Sequence, residues 1–142
     1  MLQGPVIRET LPGYTVRSAR EEDLPACNGL CVRVHGVDRS GELHDALSRG
    51  TAAVVEHDGR ITGYTTGVAF LGHTVGVSNN DLRALIGSAP AYGGPGFLVP
   101  ARNADLVRWC LDHGLRIGQI MTLMSLGLYH EPEGAWLPSV LC

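Results

Sequence analysis

The chain has 142 residues, of which 44% are hydrophobic and 18% are charged, so it suits one domain with a sizeable apolar core. The formal net charge is −3 and no block of Lys or Arg stands out, which argues against a nucleic-acid or anionic-membrane partner. No apolar run approaches the ~20 residues that a membrane helix needs, and the first residues lack the basic start and apolar centre of a signal peptide. We therefore expect a cytoplasmic protein.

The first third of the chain predicts a linker, a strand and two helices. Residues 1–13 contain two Gly and two Pro without hydrophobic periodicity, which indicates a linker or leader. Tyr14 to Arg17 is predicted as a short strand. Asp23 can cap a helix that ends near Gly36. A second short helix is predicted from residue 40 to a stop at residue 50.

Two cysteines share one face of the first predicted helix. Cys27 and Cys31 lie four residues apart, so they form either half of a metal site or a pair of small, reduced core residues. No second Cys or His pair with zinc spacing follows, and the six His residues match no metal-binding motif. The pattern therefore favours the core and predicts no metal site.

The middle of the chain predicts a β-hairpin followed by a weaker strand and a helix. Residues 51–57 and 60–70 are apolar strands joined by Asp58-Gly59, a strong two-residue turn signal. Residues 71–77 are predicted as a further strand, and residues 79–86 as a short helix.

The last third begins with a strand–helix unit. Phe97 to Val99 is predicted as an apolar strand. Asn103 is a good N-cap for a helix, because its side-chain oxygen can accept from an unpaired backbone N–H. The helix should end at Gly114 in the left-handed conformation. Residues 117–128 are predicted as a long strand, and Val140-Leu141 as a last one.

This strand–Asn–helix–Gly unit resembles the last βα unit of the GNAT acetyltransferase superfamily. The residues that fit its pattern are Asn103, Leu106, Val107, Trp109 and Gly114. The opening Tyr14 to Leu24 and the hairpin Glu56 to Tyr64 resemble earlier motifs of the same family in the correct order. The resemblance implies an α/β (α+β) domain over residues 14–142, with a mixed, mostly antiparallel sheet flanked by helices.

The family resemblance also implies a cofactor site, which this sequence changes. GNAT enzymes bind the pyrophosphate of acetyl-CoA on a glycine-containing loop that opens a helix. In this chain the matching slot, Val77 to Ala84, has no glycine and places Asp81 where phosphate should lie. Glycines 93, 94 and 96 are either a substitute cradle or a flexible turn. By carry-over from the family, Val99 and Asn103 are the cofactor-binding candidates.

Other candidate site residues follow from the same resemblance. Cys110 stands where the family has its catalytic Tyr, so it is either an unusual general acid or a buried core residue. Tyr64 and His73 fall near the place where GNAT substrates lie, so they are the substrate-pocket candidates, although a structural hydrogen bond is an alternative role. The acceptor amine does not follow from the sequence.

The whole chain is also similar to the degenerate second half of tandem GNAT proteins. Segments 72–75, 94–100, 108–110, 121–124, 127–134 and 137–139 carry this similarity. It implies a non-catalytic C-terminal half that binds no acetyl-CoA alone, pairs with an upstream GNAT domain, and has residues 1–13 as interdomain linker. The alternative is an autonomous N-acetyltransferase with a non-standard cradle. For the isolated chain we expect a homodimer through the C-terminal third, with Trp136 as anchor.

Overall fold

The computed structural model describes residues 1–141, and Cys142 lies outside them. The chain forms seven strands, four α-helices and a short 3₁₀ turn at Glu21–Asp23 within this range. The strands are β1 (Leu2–Gln3), β2 (Tyr14–Ser18), β3 (Ala53–His57), β4 (Arg60–Thr65), β5 (Thr74–Gly76), β6 (Arg116–Ile117) and β7 (Ala135–Leu137). The helices are α1 (Leu24–His35), α2 (Ser40–Ser48), α3 (Asn79–Ser88) and α4 (Ala104–Asp112). None of the helices in residues 1–141 has the length and apolar character to cross a bilayer.

The main sheet has five antiparallel strands in the order β2-β3-β4-β5-β7. The β3–β4 hairpin turns at Asp58-Gly59, which both have positive φ (51° and 71°), as the sequence predicted. A second, two-stranded sheet pairs β1 with β6. The predicted fold class is confirmed: this is a mixed α+β domain with antiparallel sheets flanked by helices.

Helices cover both faces of the main sheet. Val54 packs in one cluster with α1 and α2, whereas its neighbour Val55 packs in another with α3, because successive side chains of a strand point to opposite faces. Cys27 and Cys31 are fully buried in the first of these clusters. Burial raises the pKa of the Cys27 thiol to about 12, so this residue is an inert core residue.

The first 13 residues are part of the folded domain, which corrects the linker prediction. Leu2 pairs with Ile117 and also exchanges backbone hydrogen bonds with Phe97. Leu2 and Ile7 are both buried in the same core cluster as α4. The apolar side chains of Leu2 and Ile7 hold this segment on the core. Neighbouring Gly and Pro residues do not prevent a short segment from packing in this way.

Three of the strands predicted in the last third are wrong or misplaced. Residues 97–99 form no strand, and Phe97 makes only the isolated bridge to Leu2. The long strand predicted over 117–128 is limited to Arg116–Ile117, and the last strand is Ala135–Leu137 instead of 140–141. The cause is competition for one sheet edge: β7 pairs with β5, so the apolar run before it finds no neighbouring strand.

Candidate functional site

The N-termini of α3 and α4 meet at one end of the main sheet and are joined by two amide side chains. Asn79 Nδ2 donates to Asn103 Oδ1 (3.0 Å), and Asn103 Nδ2 donates to Asn79 Oδ1 (2.8 Å). The same Asn103 oxygen accepts from the backbone N–H of Leu106 at 3.3 Å, so its predicted role as N-cap is confirmed. The cofactor candidate Asn103 is therefore occupied by contacts within the chain.

The buried carboxylate of Asp81 caps the N-terminus of α3. Its Oδ2 accepts from the backbone N–H (2.8 Å) and the hydroxyl (2.9 Å) of Ser78, and its Oδ1 accepts from the Thr62 hydroxyl at 2.5 Å. The residue is only 1% exposed. The carboxylate thus occupies the position that attracts anions at a helix N-terminus. Its negative charge is balanced by the helix and by hydroxyl donors within the protein.

Two glycines make room for this carboxylate. Gly63 and Gly76 face each other across β4 and β5. A Cβ added to Gly76 would lie 2.8 Å from the Asp81 Cβ, and one added to Gly63 would lie 3.1 Å from it. A side chain at either position would therefore push Asp81 out of the helix terminus. Both glycines lie in segments that the sequence predicts as strands, and no signal in the sequence indicates that they make room for Asp81.

The outer edge of β5 is covered by the chain's own last strand. Thr74, Val75 and Gly76 pair with Leu137, Trp136 and Ala135 respectively. Trp136 is 7% exposed and its indole meets the His35 ring edge-on, with centroids 5.5 Å apart. Trp136, the expected dimer anchor, is thus buried within its own chain, because pairing with β5 turns its side chain toward α1.

Two adjoining depressions remain beside this strand. A polar pocket of about 390 Å³ lies at the two helix N-termini and includes Ser78, Asn79 and Asn103. An apolar groove of about 890 Å³ lies beyond it, and both depressions are lined in part by Pro100, Arg102 and Trp136. The guanidinium of Arg102 forms an ion pair with Glu131, so its charge is compensated within the chain.

Val99, the second cofactor candidate, lies in the groove rather than at the helix termini. Its side chain is half-buried against the core cluster that contains α4, and it lines the apolar groove. The structure therefore separates Val99 and Asn103 into the groove and the polar pocket.

The substrate candidates Tyr64 and His73 are inside the protein. Both are 1% exposed, and the Tyr64 hydroxyl lies 2.9 Å from His73 Nε2. His73 Nδ1 lies 3.1 Å from Glu42 Oε2, but not in hydrogen-bonding alignment. Burial lowers the pKa of His73 to about 4 and raises the pKa of Tyr64. The two rings therefore form a neutral, buried polar pair that neither depression exposes.

Cys110 lies in the core, away from both depressions. It is fully buried in α4, in one cluster with Leu106 and Leu115. Burial raises the pKa of its thiol to about 12. A side chain with no access to solvent or ligand has no route for proton exchange with a substrate, so the geometry favours packing over acid catalysis.

The glycine-rich loop before residue 97 is used for close packing of the chain on itself. Gly93 exchanges backbone hydrogen bonds with Val68 and Phe70, and a Cβ there would lie 2.7 Å from the Ala69 side chain. Gly96 has φ 134° and its added Cβ would overlap the backbone oxygen of Leu2. Close packing of the chain therefore explains the presence of glycine at these two positions, and no role in binding phosphate is needed.

No group of three or more His, Cys, Asp or Glu residues in the described part of the chain is arranged to hold a metal ion. Neither the protein-family models nor the curated proteins provide a match to this sequence. Among solved structures, the chain is similar to a GNAT-family acetyltransferase from Bacillus cereus, with a TM-score of 0.52 and 12% sequence identity. The match covers 87% of this chain and 94% of that one. The chain therefore has the fold of GNAT acetyltransferases.

Proposed function

We propose that this chain is a GNAT-fold module without acetyltransferase chemistry of its own, and that it serves as the non-catalytic half of a two-module acetyltransferase. The observation that supports this most directly is the closed N-terminus of α3. Asp81 fills it with a buried carboxylate that accepts three hydrogen bonds from Ser78 and Thr62.

Electrostatics make this terminus a poor place for the diphosphate of acetyl-CoA. A second unit charge placed 4 Å from a carboxylate is repelled by about 4 kcal/mol at the effective dielectric of a protein surface. The attraction of a helix N-terminus for an anion is worth only about 0.3–2 kcal/mol. The repulsion from Asp81 therefore outweighs the attraction of α3.

The covered edge of β5 supports the same proposal. The pantetheine arm of acetyl-CoA is an extended chain with two amides, which needs hydrogen-bond partners when it lies against a protein. Beside α3 the nearest strand edge is that of β5, and β7 already pairs with it from Thr74 to Gly76. A cofactor arm would have to displace Trp136 and its neighbours to reach that backbone.

The alternative, an autonomous N-acetyltransferase with a non-standard cradle, needs free glycine N–H groups around residues 93–96. Gly93 N–H donates to the Val68 carbonyl oxygen, and Gly96 is packed against Leu2. The alternative also needs an acid other than Cys110. These contacts favour the non-catalytic role.

Calorimetric titration with acetyl-CoA tests the proposal. We expect no saturable heat for the isolated chain, and the same result for Asp81→Asn, because β7 still covers β5 after the charge is removed. A dissociation constant in the low micromolar range, about −8 kcal/mol, would overturn the non-catalytic role. The second part of the proposal, pairing with a catalytic module, is tested by the coding sequence upstream of Met1. A GNAT module with a Gln/Arg-x-x-Gly-x-Gly loop is expected there.

A further inference from the structure

Residues 120–129, here called the apolar arm, lie on the surface outside the helices and strands, directly after Gly118 and Gln119, which hydrogen-bond to Met1. No main-chain N–H or C=O of residues 120–132 hydrogen-bonds to another residue in the part of the chain that the structure describes. An extended segment with unpaired backbone groups is a template for pairing with another strand.

The apolar residues of the arm differ in how far they are exposed. Met121, Leu123 and Tyr129 are about half-exposed and line the apolar groove. Four further apolar residues are at least 84% exposed: Ile120, Met124, Leu126 and Leu128. Ile120 and Met124 lie at the rim of the groove, because they line it in part and are still largely open to solvent. The chain bends at Leu126 and Gly127, where Gly127 has φ 88°, so residues 120–126 lead up to this bend.

The amount of exposed apolar surface matches what a protein interface buries. The four most exposed apolar residues of the arm, Ile120, Met124, Leu126 and Leu128, together expose an area on the order of 800 Å², and a standard interface buries about 800 Å² per partner. Scattered single apolar residues are normal at a surface, but a contiguous patch of this size marks an interaction site.

The lack of charged residues in the arm favours a second copy of this chain as the partner that covers it. Residues 117–129 contain no Asp, Glu, Lys, Arg or Pro. Natural edge strands use such residues to prevent pairing with identical chains, and this arm has none of them. Two copies of a neutral segment meet without repulsion, and an antiparallel pair of identical strands is the self-complementary contact that two-fold symmetry requires.

We propose that residues 120–126 pair antiparallel with the same residues of a second chain across a two-fold axis, burying Ile120, Met124 and Leu126 of each arm. The dimer goes beyond the proposed function and does not depend on it, because acetyl-CoA binding and self-association are measured separately.

Sedimentation of the full chain over a concentration series tests the proposal. We expect a dimer at tens of micromolar. Met124→Lys and Leu126→Lys should each weaken dimerisation by at least about tenfold in dissociation constant, about 1.4 kcal/mol. The matched control is Val37→Lys, at a 55% exposed apolar residue in the loop between α1 and α2, which should leave the dimer intact.

Hydrogen exchange on the wild-type chain provides a readout that needs no variant. The amides of 120–126 should exchange at least about tenfold more slowly above the dimerisation midpoint than below it. A wild-type monomer at tens of micromolar would overturn the proposal, as would a dimer that both lysine variants leave unchanged or one in which these amides stay unprotected. A chain that stays monomeric alone but associates with a different GNAT-fold module would also overturn the proposal, because the arm would then be the binding surface for that module.

Discussion

Acidification should destabilise the protein through His73. Its ring is 1% exposed, lies beside the Tyr64 hydroxyl, and is held neutral with a pKa of about 4 because burial disfavours the imidazolium. In the unfolded chain the pKa is ~6.5, so below that pH the unfolded state binds the proton first. The contribution of neutral His73 to stability is therefore present above pH 6.5 and is lost as the pH falls toward 4.

The size of the effect follows from the two pKa values. With a pKa of about 4 in the folded state and ~6.5 in the unfolded state, His73 alone costs about 2 kcal/mol of unfolding free energy at pH 5 relative to pH 7. The pKa of His35 is also lowered to about 4 by burial, so the wild-type loss should be roughly twice this. Nearby Arg39 disfavours the His73 imidazolium, whereas Glu42 favours it.

The assay is urea unfolding at pH 7 and pH 5 at one protein concentration. His73→Gln retains a hydrogen-bonding group for Tyr64 but does not titrate, so its loss of unfolding free energy between the two pH values should be about half that of wild type. His44→Gln, at an exposed position of α2, should lose as much as wild type. An unchanged pH difference in His73→Gln would refute the assignment of the effect to this ring.

Two further variants test the packing of candidate site residues. Cys110→Ser should cost about 1–3 kcal/mol of unfolding free energy, because a hydroxyl would be buried without a partner in the core cluster around α4; an unchanged denaturation midpoint would contradict the packing role. Trp136→Ala should cost about 3–5 kcal/mol, as for large buried side chains. If this variant instead lost only self-association while its denaturation midpoint stayed at the wild-type value, Trp136 would be an interface residue after all.

Local signals in the sequence predicted the elements that depend on near neighbours. The turn at Asp58-Gly59 and the N-cap at Asn103 both depend on contacts within a few residues, and both are confirmed. Gly36 ends α1 at φ 76° for the same kind of reason. The capping pair Ser78 and Asp81 also has a local signature, Ser-x-x-Asp, so its capping role depends on near neighbours as well.

The strands of the last third were predicted poorly, since a strand exists only where it finds a partner. Residues 97–99 and 117–128 have strand-like composition, yet the three residues of β7 take the edge of β5. The same long-range pairing buries Trp136 and leaves the apolar arm exposed. Leu2 shows the reverse case, because a segment that looked like a linker found a partner in β6.

The sequence by itself determined the helices, the hairpin and the Asn103 cap, since hydrophobic periodicity and turn chemistry act over short distances along the chain. The α+β class followed from the family resemblance, whereas the carboxylate of Asp23, a predicted helix cap, binds Arg17 instead. Only the tertiary structure decided which segment covers β5, that Asp81 points inward between Gly63 and Gly76, and that Tyr64 and His73 lie in the interior. Those outcomes depend on which distant segments compete for one strand edge or one space in the core. Packing and hydrogen bonding across the whole fold decide which segment wins. A short stretch of sequence therefore does not predict the result.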